Sequence, residues 1–109
     1  MKPLVSATEL QRIVDGDVVV FDCRHRLSDP SWGEAAFRAG RVPGARYLNL
    51  DRDLSAPVAP DGRGGRHPLP DPEVFAELLR SHGVGRRTRV VAYDDMGNPF
   101  AARLWWMLG

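Results

Sequence analysis

The chain has 109 residues, 43% of them hydrophobic, which bounds it to one domain with a modest core. A net charge of +1, with acids and bases interspersed, gives no electrostatic footing for nucleic acid or an anionic membrane as a partner. The single cysteine excludes an internal disulfide, and no apolar run approaches a membrane span. Because the stretch from Met1 to Ser6 has one lysine and no long apolar segment behind it, no signal peptide is expected and a cytoplasmic setting is the default.

In chain order, Leu4 and Val5 read as a very short strand. Ser6 then stands as an N-cap with Glu9 completing a capping box, and Leu10, Ile13 and Val14 fall on one helical face. Asp15-Gly16-Asp17 ends that helix. Val18-Val19-Val20-Phe21 is a short, β-branched apolar run, as expected of a strand covered on both faces in a parallel sheet. Trp32 to Ala39 reads as a short helix closed by Gly40, and Val42-Pro43-Gly44 as a turn. A third strand is expected over Ala45 to Leu50. The polar, Gly- and Pro-rich stretch from Asp51 to Pro70 is a long loop of the kind that carries function. Asp71-Pro72-Glu73 opens a helix with an N-cap, an N1 proline and a first-turn acid, and Gly83 is its C′ residue. Arg89 to Tyr93 is the last strand and Phe100 to Leu108 the last helix, with Leu104, Met107 and Leu108 inward. Of Trp105 and Trp106, one is expected to face the core and the other to be covered by another domain. Strands alternating with helices predict a three-layer α/β domain with a mostly parallel sheet.

Several stretches, in order and spread over nearly the whole chain, carry a resemblance. They are Leu4-Val5-Ser6, Val18 to Arg24, Ala39 to Ala45, Gly65-Arg66-His67-Pro68-Leu69-Pro70, and Val90 to Asp95 with Ala102-Arg103-Leu104-Trp105-Trp106-Met107. The chain resembles the rhodanese-like family, specifically the N-terminal domain of tandem-domain sulfurtransferases acting on thiosulfate or 3-mercaptopyruvate. The resemblance implies a protein that moves sulfane sulfur from a small anionic donor to a thiol or cyanide. A cysteine on a C-terminal domain would carry it as a persulfide, with no cofactor and no metal.

In that family the loop after the fourth strand holds the nucleophile. Here Asp94 stands in that place, and a carboxylate cannot form a persulfide. Residues 1–109 are therefore expected to be a non-catalytic N-terminal domain, inactive alone. They are also expected to be a fragment, truncated before the domain's last strand and helix and lacking the C-terminal partner domain. A non-enzymatic rhodanese-like binding module is the alternative, and a redox protein acting through Cys23 a more distant one.

Among single residues, Cys23 has basic neighbours Arg24, His25 and Arg26, which favour a thiolate. Asp29, however, stands where a phosphatase relative of this fold would need arginine, and no glycine-rich loop surrounds the thiol, so a packed structural role is expected. The resemblance places Asp51 and His67 where mercaptopyruvate sulfurtransferases have a cleft-facing pair that relays a proton with a serine of the C-terminal domain. Histidine suits that task because its ordinary pKa lies near neutrality. The competing reading has Asp51 capping a turn and His67 packed on the surface beside Pro68. Arg66 and Arg63 either draw an anionic donor into the cleft or are solvated. Asp94 and Asp95 are expected to cap the last helix and oppose its dipole, Asp22 and Arg24 to pair, and Arg41 to affect only turn packing.

Overall fold

The computed structural model describes residues 17–96 and 99–108. The expected first strand and the helix from Ser6 lie outside them. Within them, strands β1 (Val18–Asp22), β2 (Arg46–Tyr47) and β3 (Arg89–Tyr93) alternate with helices α1 (Trp32–Ala39), α2 (Pro72–Ser81) and α3 (Pro99–Leu108). The strands form one parallel sheet in the order β2-β1-β3. Register pairs Val18 with Arg89 and Asp22 with Tyr93, so the loops that follow β1 and β3 begin side by side at the sheet's carboxyl end.

Helix ends follow the local chemistry. Asp71 accepts hydrogen bonds from the Glu73 and Val74 amides at 2.8 and 3.4 Å, with Pro72 behind it as N1. Gly83 takes the left-handed conformation that ends α2, at φ 86°. Gly33 in α1 is needed for close approach: a Cβ there would collide with the Arg24 carbonyl oxygen. The predicted bounds of α1 and β3 coincide with the observed ones.

Two expectations change. The third strand stops at Tyr47 rather than Leu50, because Asn49 turns the chain: its Oδ1 accepts from the Asp51 and Arg52 amides at 2.9 and 3.1 Å. Neither tryptophan of α3 faces the core. Ala101 and Leu104 are buried, Met107 and Leu108 pack against the core, and Trp105 and Trp106 remain 42% and 63% exposed on the rest of the helix surface.

The core joins Phe21, Cys23, Leu48, Leu50, Leu54, Phe75, Leu79 and Leu104. Leu54 belongs to the long loop, so that loop is rooted in the core. Arg103 of α3 holds it further: Nε donates to the Leu54 carbonyl at 3.0 Å, and Nη2 to the His67 and Pro68 carbonyls at 2.8 and 3.3 Å. The Ala56 amide closes the loop on the Pro68 carbonyl at 2.8 Å. At the end of β1, fully buried Asp22 pairs with Arg24 (Nη2–Oδ2 2.7 Å) and accepts from the Tyr93 hydroxyl at 3.0 Å. Arg24 also donates to the Gly40 carbonyl, fastening β1 to the end of α1. Partners on every side offset the desolvation of that carboxylate, so the pair is a structural latch.

Candidate functional site

Asp51 follows the Asn49 turn, and His67 lies near the far end of the loop, where Arg103 fixes its carbonyl. The two meet: His67 Nε2 is 2.9 Å from Asp51 Oδ1. Both remain partly open to solvent, at 26% and 43% side-chain exposure. They line one cleft of about 410 Å³ together with Leu27, Val58 and exposed Arg66. The turn is built by Asn49 and Asp53, whose Oδ2 accepts from the Asn49 amide at 2.9 Å, so Asp51 is spared for His67. With its Nε2–H on the carboxylate, the His67 ring has Nδ1 as its remaining acceptor. The arrangement can hold and transfer a proton, with the Arg66 cation lining the same cleft. Arg63 pairs instead with Asp61 at 3.3 Å and does not line the cleft.

A third group completes the cluster and carries no sequence signal. His25, three residues beyond β1, is buried, and its Nε2 lies 3.6 Å from Asp51 Oδ2. Burial draws its pKa below the ordinary value, and neighbouring His67 adds to this against the opposing pull of Asp51. Arg103, which anchors the loop, was likewise unsignalled, because its partners are backbone carbonyls.

Cys23 is 1% exposed in the core. Burial, then the Asp22 carboxylate, then Asp94 and Asp53, push its thiol up beyond its usual range, the opposite of an activated nucleophile. Its two arginine neighbours are engaged elsewhere. Arg24 is on Asp22, and Arg26 makes a two-point pair with Asp95 at 2.8 and 3.0 Å while stacking on the Trp32 ring at 3.8 Å. Asp95 is thus held by Arg26 rather than by α3.

Asp94 begins the loop after β3, and its carboxylate satisfies backbone donors. Oδ1 accepts from the Met96 amide at 2.9 Å, and Oδ2 from the Phe100 and Ala101 amides at 2.9 Å each. It caps α3 as expected, at the end of the helix that favours negative charge.

The family profile described as "Rhodanese-like domain" matches residues 6–109. The chain belongs to the rhodanese-like family. A probable 3-mercaptopyruvate sulfurtransferase of Pseudomonas aeruginosa is 46% identical over 106 residues, covering 96% of this chain and 37% of that protein. A putative thiosulfate sulfurtransferase of Mycobacterium tuberculosis is 39% identical, again over 96% of this chain and 37% of the relative. The 3-mercaptopyruvate sulfurtransferase structure from Leishmania major superposes with a TM-score of 0.85 at 28% identity, covering 95% of this chain and 28% of that one. The rhodanese-like chain therefore spans well under half the length of these relatives. Among its described residues no helix is long and apolar enough to cross a membrane.

Proposed function

We propose that this rhodanese-like chain is the N-terminal, non-nucleophilic domain of a cytoplasmic sulfurtransferase, continuing in a strand and helix beyond Gly109 and in a second domain. That second domain bears the cysteine which takes sulfane sulfur from thiosulfate or 3-mercaptopyruvate and passes it as a persulfide to a thiol or cyanide. This chain supplies one wall of the cleft. The observation carrying the reading is the 2.9 Å contact of Asp51 with His67 beside Arg66, in a chain whose post-β3 loop offers Asp94 and no thiol.

The chemistry of the two donors gives the pair a task with one of them. When a cysteine thiolate attacks the sulfur of 3-mercaptopyruvate, the C–S bond breaks and its electron pair leaves on carbon as pyruvate enolate. The enolate carbon must take a proton, while the donor thiol gives one up as the persulfide anion forms. A relay through His67, oriented by Asp51, connects the two events. Thiosulfate releases sulfite instead, a stable anion that needs no such proton.

Thiocyanate formation from each donor by the intact protein tests this. Asp51→Asn and His67→Gln are expected to lower kcat with 3-mercaptopyruvate about 100-fold, in the range typical of general acid–base catalysis, and to leave thiosulfate within about threefold. Equal losses with both donors, or no loss with either, would overturn the assignment.

A further inference from the structure

We infer that His25 is a positioning residue for the Asp51–His67 pair: its Nε2–H holds Asp51 Oδ2, which keeps Oδ1 on His67 Nε2. The argument starts from burial. The His25 side chain is completely enclosed, and among the described residues neither ring nitrogen has a hydrogen-bond partner within ordinary distance. Buried polar groups left unpaired are costly, so a histidine persists there at the expense of an apolar side chain of similar size only if a nearby group offsets the penalty. Asp51 offers an acceptor: its second oxygen lies 3.6 Å from Nε2, a gap that a small tightening of the cleft closes.

The ring is held in that direction. Its backbone carbonyl accepts from Arg26 Nη1 at 3.0 Å, and Arg26 is fixed by Asp95 and Trp32. The rings of His25 and Phe100 meet edge to face, with centroids 5.4 Å apart and planes at 78°. Phe100 in turn is set by the hydrogen bond that its backbone N–H donates to Asp94 Oδ2. A carboxylate gripped at only one oxygen swings about its terminal torsion, which is broad. Gripped at both, Asp51 presents a fixed Oδ1. That favours one tautomer of His67, with the proton on Nε2 and Nδ1 turned to the substrate side. The charge arrangement agrees: burial favours a neutral His25, able to donate through Nε2 without adding a second cation beside His67.

The inference deepens the proposed proton relay and rests on it only where a rate is measured. Two measurements on the intact protein keep the two separable. Nitrogen-15 shifts of the His67 ring report which nitrogen carries the proton. His25→Phe keeps an aromatic ring against Phe100 but removes the donor. His25→Gln places an amide N–H near the former Nε2, and His25→Asn places one near the former Nδ1. The expected result is a single Nε2–H tautomer of His67 in the wild type and His25→Gln, and a mixture in His25→Phe and His25→Asn. With 3-mercaptopyruvate, kcat should fall about tenfold in the latter two, a fraction of a full acid–base contribution, with KM little changed and recovery in His25→Gln to within about threefold. If His25→Phe fails to fold, the contrast of Gln with Asn decides. An unchanged His67 tautomer across all three variants would overturn the inference, even in a protein that transfers sulfur. A protein with no sulfurtransferase activity would overturn the proposed function, and the tautomer would still decide the role of His25.

Discussion

Cys23 and Asp51 show how burial sorts residues that look equally reactive on paper. The thiol has three basic neighbours in sequence, yet it sits in the core with its pKa raised, while the two arginines among them serve other partners. Cys23→Ala in the intact protein should therefore leave sulfur transfer within about twofold. Native Cys23 should also resist iodoacetamide at pH 8 until the protein is unfolded, because the thiolate is the reacting form. Rapid alkylation of the folded protein would contradict this. The Asp51–His67 pair was legible only through family resemblance, since nothing in composition or spacing joins residues on opposite ends of a loop. His25 was not legible at all. Its meaning lies in a contact across the fold, and a histidine just past a strand looks the same whether it meets solvent or a carboxylate.

Elements behave differently, because their signals are local. The caps at Asp71 and Asp94, the C′ glycine at Gly83 and the apolar runs of β1 and β3 all lie within a few residues of what they determine. Strand β2 was overestimated because Asn49 offers the backbone an alternative to the ladder, and that competition depends on side-chain geometry. Placement of the tryptophans failed for another reason: α3 is apolar nearly all round, so its pattern does not select the buried face. The long loop is tied to this scaffold by Leu54, by the Ala56 amide and by Arg103. Arg103→Met keeps the stem but removes the donor to the Leu54 and His67 carbonyls and leaves Pro68 with the Ala56 amide alone. We expect a loss of about 2–3 kcal/mol in urea unfolding, since a charged donor is removed from partly buried acceptors. Faster hydrogen exchange at the Ala56 amide should accompany it. Unchanged exchange there would mean that the loop is held by other contacts.

For the molecule as a whole, stability should depend on pH through buried His25 and half-buried His82. Burial lowers the pKa of His25, with His67 adding and Asp51 opposing. Burial also lowers that of His82, which faces Arg46 and Arg52, with Asp53 opposing. Below the ordinary value of 6.5 the unfolded chain binds protons that the folded chain refuses, so stability is lost as pH falls through that window and levels off below the folded-state values. The urea midpoint should accordingly drop between pH 7.5 and 5.5, and His25→Phe should shrink the drop. A midpoint independent of pH over that range would refute the assignment of these groups as neutral in the fold. The same global view gives Asp94 a wider consequence. Its carboxylate is tethered, so at the amides of Met96, Phe100 and Ala101 it acts as a ligand at high effective concentration. A dissolved oxyanion would have to displace a competitor that never diffuses away. The loop after β3 is thus pre-empted against a dissolved oxyanion, because the chain has already filled that place with its own charge.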